Sequence, residues 1–270
     1  MDIRQYYRKT SGICFQVAWI SLTLSILFFG LHAAGVLSGN ILAIMLPFII
    51  LSIANYIGFR MFDTRAEEIP ERLLCPLTEK SELLDHSHLL LAFLPAPTLR
   101  AVLFAPNGNA VGEIRDLNMK WYMWLIPNSV SLLLPKRYGL YSSDGTLIGS
   151  YQFKWGLFNK AVILNQYGDN IGYYREAKKE SLFRLKGMIV NPEGKPWISA
   201  YAGGLLQEFQ MTNADGIKLV SYKTGWMPFE WGNRFKDANT PILSFHNSAT
   251  YNDKIAILGF CAAALHHRSN

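Results

Sequence analysis

The stretch from Thr10 to Phe59 contains no Asp, Glu, Lys or Arg, which restricts the environments in which it can fold. Two apolar runs lie inside it, at 13–37 and 41–59, and only Ser-Gly-Asn at 38–40 separates them. A helix needs about 20 predominantly apolar residues to cross the hydrocarbon layer of a membrane. Such a helix satisfies its own backbone hydrogen bonds inside lipid. The pattern therefore predicts two transmembrane helices, at about 13–37 and 41–59, joined by a tight turn.

Basic residues lie at both outer ends of this predicted hairpin, and the turn has none. They are Arg4, Arg8, Lys9, Arg60 and Arg65. Because cytoplasmic flanks collect Lys and Arg, we expect an integral membrane protein with two spans and with both termini cytoplasmic, residues 1–12 forming the N-terminal tail. A signal peptide is disfavoured, because the first apolar run exceeds the usual length of about 7–15 residues.

The stretch 60–99 is interpreted as a linker. Pro70 and Pro76 fall within it, and proline cannot continue a helix. We expect the second domain to occupy 100–270.

That domain has the sequence pattern of successive β-hairpins. Asn-Gly and Asp-Gly pairs are strong hairpin signals, because both central residues of a type I′ turn need positive φ. The expected turn glycines are Gly108, Gly145, Gly168, Gly194 and Gly216. Gly112, Gly149 and Gly172 follow the earlier turns, and we expect them to permit a bend or bulge as the sheet curves.

The last apolar run, from Ile255 to Leu265, predicts a helix at about 253–266. A helix that is hydrophobic all round lies either in a protein core or in a membrane. The run of eleven residues would be about 17 Å long, which is too short to cross a bilayer. We therefore expect a helix enclosed by the sheet.

The hairpins and the closing helix together resemble the tubby-like fold of tubby C-terminal domains, phospholipid scramblases and the LURP-one family. The resemblance rests on Tyr-Ser-Ser-Asp-Gly-Thr-Leu-Ile-Gly at 141–149 and on Asp-Lys-Ile-Ala-Ile-Leu-Gly-Phe at 253–260. It covers roughly residues 100–268. It implies a mainly β fold with a membrane α-hairpin, in which a β-barrel surrounds a hydrophobic C-terminal helix. No catalytic or lipid-contact residue carries over from it.

The chain shows no pattern typical of catalysis. A nucleophile elbow, a Walker A loop, a His-Glu-x-x-His motif and an EF-hand loop are all missing from the sequence. The net charge of +6 over 270 residues is too small to predict nucleic-acid binding. We expect no enzymatic activity, no cofactor, no metal site and no nucleic-acid partner.

One basic cluster is a candidate for binding lipid head groups, because Lys and Arg close to a bilayer attract anionic lipids. Its members are Arg175, Lys178, Lys179, Arg184 and Lys186. Glu176 and Glu180 lie in the same stretch, so a solvated face of mixed charge is the alternative.

The leading hypothesis is a membrane-anchored, non-enzymatic cytoplasmic module that binds anionic lipid head groups or a protein partner. The alternative is lipid scrambling or a transport-associated role. It is disfavoured because the predicted spans hold no charged residue that would mark an ion path. Gly30-x-x-x-Ala34 and Gly35-x-x-x-Gly39 permit close helix packing in lipid, which makes a homo-oligomer through the membrane helices a candidate assembly.

Overall fold

A computed structural model describes residues 1–73, 82–125, 135–153, 160–176, 185–202 and 208–266. Contacts divide the chain into two compact units, Met1–Leu74 and Cys75–Asn270. The first unit contains two long helices, and the second contains a β-barrel.

The first unit consists of α1 (Ile3–Ala33) and α2 (Ile41–Glu67), followed by a 3₁₀ turn at Glu71–Leu73. Two helices of this length and apolarity are sufficient to span a membrane. Both extend beyond the apolar runs, because the apolar pattern marks only their lipid-compatible part. Asp2 caps α1, its Oδ1 accepting the N–H of Gln5 at 2.7 Å. Asn40 caps α2 in the same way, at 3.1 Å from the N–H of Leu42.

The turn between the helices is longer than expected. Helix α1 ends at Ala33 rather than at residue 37, and Gly35 and Gly39 follow with φ of 75° and 122°. Glycine tolerates positive φ without steric cost. The pair Gly35-x-x-x-Gly39 therefore belongs to the turn and is not a helix-packing motif.

Helices α1 and α2 pack through small and hydroxylated residues. The hydroxyl of Ser52 donates to the carbonyl oxygen of Ala18 at 2.9 Å. A Cβ at Gly58 would lie 3.5 Å from Sγ of Cys14, so the helices approach closely there. Gly30 has nothing within 4 Å of an added Cβ. Gly30, which belongs to the predicted oligomer motif, therefore does not lie on the face of α1 that packs against α2. The homo-oligomer through the membrane helices stays a prediction.

The second unit contains a closed antiparallel barrel of twelve strands. Each strand pairs with its neighbours along the chain, and β1 pairs with β12. The strands are β1 His88–Phe93, β2 Arg100–Phe104, β3 Ala110–Asp116, β4 Lys136–Ser142, β5 Leu147–Phe153, β6 Lys160–Asn165, β7 Asn170–Glu176, β8 Leu185–Val190, β9 Pro196–Ala202, β10 Glu208–Asn213, β11 Lys218–Lys223 and β12 Ile242–Phe245. The described residues of the same unit also form two helices, α3 (Phe229–Gly232) and α4 (Tyr251–His266), with 3₁₀ turns at Leu83–Asp85 and Trp121–Leu125.

The predicted fold class is confirmed: the chain is mainly β, with a barrel around a hydrophobic C-terminal helix and two N-terminal apolar helices. The barrel begins at His88, inside the stretch that the sequence assigned to a linker. Strand β1 lacks the alternation of a half-exposed strand, because Leu89, Leu90 and Leu91 are all buried. A short apolar run of this kind does not reveal its type by periodicity.

Helix α4 fills the barrel. Its residues Ile255 to Leu258 and Cys261 are fully buried in the same cluster as the inward-facing strand residues. The hydroxyl of Tyr151 donates to the carbonyl oxygen of Ile255 at 2.7 Å. Gly259 lets the ring of Tyr151 reach the helix, since an added Cβ would clash with that ring. The described part of the barrel interior is therefore packed core, and function must be sought on its surface.

Candidate functional site

Five tight hairpins lie at the same end of the barrel, which we call the turn end. They join β2–β3, β4–β5, β6–β7, β8–β9 and β10–β11, and in an antiparallel barrel alternate connections share one end. Each turn glycine has the expected positive φ, between 80° and 87°. An Asn or Asp side chain accepts backbone N–H groups within each turn, as Asn191 does from Lys195 at 2.8 Å.

Each hairpin carries a β-bulge on its second strand, just after the turn. In the β2–β3 hairpin Leu103 pairs with Gly112 and Phe104 pairs with Ala110, so Val111 is the extra residue. The equivalent extra residues of the other hairpins are Ile148, Ile171, Trp197 and Leu219. All five lie three residues after the turn glycine and pack in or against the barrel core. The apolar residue three positions after each turn glycine is thus where the chain bulges.

The second glycine of the first three hairpins (Gly112, Gly149 and Gly172) does not cause the bulge. Ile198 and Val220 occupy the same place in the last two hairpins, which are bulged as well. Two of these glycines are needed because a side chain would not fit at their positions. A Cβ at Gly112 would lie 2.7 Å from the carbonyl oxygen of Tyr141, and one at Gly172 would lie 2.8 Å from that of Val190.

One side of the turn end is covered by residues 82–87, and we call it the covered side. Leu83 is 1% exposed and packs where Gly112 leaves room. Nζ of Lys254, in the first turn of α4, donates to the carbonyl oxygens of Leu84 and His86. Burial lowers the pKa of Lys254, and the nearby carboxylate of Asp85 opposes that shift.

The other side holds a groove, which we call the turn-end groove. It has a volume of about 660 Å³ and lies between the β6–β7, β8–β9 and β10–β11 hairpins and the start of α4. The bulged residues Ile171, Trp197 and Leu219 line it. Most of its other lining is polar: Asn170, Asn191, Asn213, Asp215, Ser248, Thr250, Asn252 and Asp253.

Asp253 fixes the wall of the groove at the start of α4. Its carboxylate accepts the N–H of Thr250 at 2.8 Å, the hydroxyl of Thr250 at 2.7 Å and the indole N–H of Trp197 at 2.8 Å. Its own N–H donates back to the Thr250 hydroxyl, which completes a capping box. The indole therefore has a fixed position in the groove wall.

The charge of the groove is acidic. Among its described lining residues, Asp215 and Asp253 are charged and none is Lys or Arg. In the described part of the chain, no group of three His, Cys, Asp or Glu side chains is arranged to hold a metal ion. The arrangement offers hydrogen bonds and an aromatic edge.

A second exposed feature lies on the β11–β12 connection. We call Lys223, Trp226 and Phe229 the aromatic surface. Trp226 is 79% exposed and Phe229 is 89% exposed, while Nζ of Lys223 lies 5.9 Å from the Trp226 ring centre. Lys223 also pairs with Glu208 at 3.2 Å, and such exposed ion pairs contribute only about 0–1 kcal/mol.

The connection that carries these rings is itself folded against the barrel. Phe235 is buried and meets Phe104 edge-on, with ring centres 6.0 Å apart. The ring of Trp231 lies 5.5 Å from that of His88. The exposure of Trp226 and Phe229 is therefore a property of an anchored segment.

A half-buried acid, Asp116, and a buried base, Lys136, lie at the other end of the barrel. Burial raises the pKa of Asp116 and lowers the pKa of Lys136, and their mutual attraction opposes both shifts. Asp116 pairs with Tyr138 across β3 and β4. Opposite charges in a partly buried environment attract each other, so Asp116 and Lys136 need no functional role to account for their positions.

The predicted basic cluster is placed only in part. Arg175 is exposed on β7, opposite Lys160 and Met188, and Lys186 lies on β8 opposite Tyr201. Lys178, Lys179 and Arg184 lie outside the described residues. The cluster therefore stays a prediction.

Sequence reasoning used only the Asn-Gly and Asp-Gly pairs, as hairpin signals, and did not predict the groove. A usable signal was present, since alternate connections of an antiparallel sheet meet at one end and would gather these polar side chains there. The side of the turn end that stays open depends on where residues 82–87 pack, and no local sequence pattern predicts the position of that segment.

No protein-family model and no curated protein matches the chain. Among solved structures, an X-ray structure of a protein from Arabidopsis thaliana is similar, with 10% identity and a TM-score of 0.42. The match covers 68% of this chain and 92% of the plant protein. At that TM-score the likeness supports no statement about function.

Proposed function

We propose that the chain is a membrane-anchored, non-enzymatic module whose barrel binds anionic lipid head groups. The observation that carries the proposal is the aromatic surface, where Trp226 and Phe229 are almost fully exposed beside Lys223. Trp is enriched at membrane–water interfaces, where an apolar ring and a polar N–H are both accommodated. Exposed apolar side chains that lie close together, as opposed to singly scattered ones, mark interaction sites.

Charge and tethering both favour a membrane as the partner of this surface. Residues 223–236 carry three basic side chains, Lys223, Arg234 and Lys236, and one acidic side chain, Glu230. Each basic residue near an anionic leaflet contributes about 1 kcal/mol of attraction. The same chain has two helices that are long and apolar enough to span a membrane, which would hold the barrel within reach of lipid. The basic cluster at 175–186 would add to the attraction.

Two finer statements belong to the proposal. We place both termini on the cytoplasmic side, because basic residues flank α1 and α2 at their outer ends. We also place the barrel in the superfamily of tubby C-terminal domains, phospholipid scramblases and LURP-one proteins. A closed barrel of twelve strands around a buried C-terminal helix supports that membership.

The test is quenching of tryptophan fluorescence by brominated acyl chains, with the full chain in lipid nanodiscs. The share of Trp226 is the difference between the wild type and Trp226→Phe. We expect that share to be quenched in nanodiscs that contain phosphatidylserine and much less in purely zwitterionic ones. Added salt should reduce the quenching, because it screens the charge attraction.

Trp231→Phe is the matched control, since Trp231 lies in the same connection but faces His88. Its share of the quenching should be smaller than that of Trp226. Equal shares, or equal quenching in anionic and zwitterionic discs, would contradict lipid binding by this surface. A protein partner would then be the remaining form of the binding hypothesis.

A further inference from the structure

We propose that the turn-end groove binds a neutral, polyhydroxylated ligand, such as a saccharide or a cyclic polyol. This inference is independent of the lipid proposal, because it rests on a different surface. The groove has a volume of about 660 Å³, which lies within the range of about 300–1,000 Å³ found for ligand sites. The mouths of β-barrels are a common location for such sites.

The groove is part of the barrel's repeated construction. The three hairpins around it have the same turn chemistry and the same bulge as the hairpin on the covered side. On the covered side Leu83 fills the space above the bulge. Around the groove the bulged residues Ile171 and Trp197 stay partly exposed, so a ligand can contact them.

The lining disfavours anions and metal cations. An anionic ligand would meet Asp215 and Asp253 with no basic residue among the described lining, and such like-charge contacts are costly. A metal cation would need several free carboxylates, and the described lining offers only that of Asp215, which accepts Nδ2–H of Asn213 at 3.3 Å. The carboxylate of Asp253 already accepts three hydrogen bonds, from Thr250 and Trp197.

The hydrogen-bonding groups fit hydroxyls, which both donate and accept. Asn191 uses its Oδ1 within its own turn, accepting from Lys195. Within the described residues its Nδ2 has no partner, which leaves a donor at the groove. Asn252 presents a whole amide there, and Asp215 presents a carboxylate that can accept from a ligand hydroxyl.

The apolar part of the lining fits the C–H faces of a sugar or polyol ring. Trp197 is the central element, flanked by Ile171 and Pro196. The indole is held at both ends, by its N–H bond to Asp253 and by the close approach of its ring to Gly172. A wall that is already ordered loses little entropy on binding.

The test uses the full chain in nanodiscs, because many common detergents are themselves glycosides. Methyl glycosides of the common hexoses and myo-inositol are screened by saturation-transfer-difference NMR, and positive ligands are titrated. We expect a dissociation constant of about 1 mM for a free monosaccharide. A second arm presents the same sugar on a neutral glycolipid in the disc, which separates a soluble source from a lipid source.

The groove variants are Asn252→Ala and Asn191→Ala. Each removes one amide from the groove, and we expect binding to weaken about five- to tenfold. Asn107→Ala is the matched control. Asn107 accepts a turn N–H in the β2–β3 hairpin, at 3.0 Å from Asn109, but does not line the groove. It should bind as the wild type does.

Binding of a free glycoside or of the neutral glycolipid, lost in the groove variants and kept in Asn107→Ala, supports the proposal. Three results overturn it: no binding in either arm, equal weakening in Asn107→Ala, or preferential binding of inorganic phosphate. Binding of an extended peptide in place of any sugar also overturns it, because the groove would then be a protein-docking site.

Discussion

The covered side and the open side of the turn end are built from the same repeating unit, yet only one of them is closed. In both, a tight turn is followed by a bulge that sends an apolar residue toward the barrel axis. On the covered side Val111 is buried and Leu83 packs against the adjacent Gly112, whereas on the open side Trp197 stays partly exposed. The difference lies in residues 82–87, which pack over only one side.

This contrast separates what a repeat determines from what its surroundings determine. The repeat sets the strand pairing, the bulge and the polar turn residues. A short segment from outside the repeat decides whether those features form core or a site. Functional surfaces of the barrel are therefore expected where the cover ends, and each prediction below tests that relation.

The largest effect is expected from Leu83→Ala. Leu83 is fully buried on the covered side, and truncation leaves a cavity, so the free energy of unfolding should fall by about 3 kcal/mol. Ile171→Ala, on the open side, should cost only about 1 kcal/mol, because its side chain is already partly exposed. Both are measured by unfolding of the full chain in detergent, followed by near-UV circular dichroism. Equal losses would show that the cover contributes no more than an ordinary surface contact.

The sequence predicts the architecture well, for reasons that are local. The uncharged stretch at 10–59 predicts the helical hairpin, and the glycine at each turn predicts a β-hairpin. The apolar run at 255–265 sets the enclosed helix. The same local patterns do not predict strand β1. Leu90 on its outer face is buried as well, so the strand lacks the alternation of apolar and polar residues that would identify it.

The site is harder to predict than the fold, because it depends on contacts between distant residues. Asp253 and Trp197 are 56 residues apart, and their hydrogen bond forms only when the barrel closes around α4. The sequence did not decide the exposure of Trp226 either, since a position at a membrane interface and a position in the barrel core were both open for this residue. Composition favours burial of aromatic residues in the core, and only the anchoring of the segment through Phe235 turns this ring outward.

A smaller effect is expected from Asp253→Ala, on the open side. The indole N–H of Trp197 and the N–H of Thr250 lose their acceptor, so unfolding should become easier by about 2 kcal/mol. Hydrogen exchange should accelerate more in the β8–β9 hairpin than in the β2–β3 hairpin. The control is Asp215→Ala, an exposed acid of the same groove, with an expected change within about 0.5 kcal/mol. Uniform acceleration in both hairpins would mean that the two sides do not respond separately.

The smallest effect is expected from Lys254→Met, at the contact that fastens the cover. The carbonyl of Leu84 loses its donor, which should cost about 1 kcal/mol near pH 7. Lys218→Met, at an exposed lysine of the same end, should leave the stability at that pH unchanged.

The pH dependence of the same variant tests the contact in a second way. Burial lowers the pKa of Lys254 below 10.5. Between its folded pKa and 10.5 the unfolded chain binds the proton and the folded chain does not, so this group makes stability rise with pH across that window. The unfolding free energy of the wild type minus that of Lys254→Met, measured from pH 8 upward, should therefore increase with pH. Lys136 shifts in the same direction and keeps part of the slope in both proteins. If the two curves stay parallel, Lys254 is not buried against the covering segment, and the cover is held by Leu83 alone.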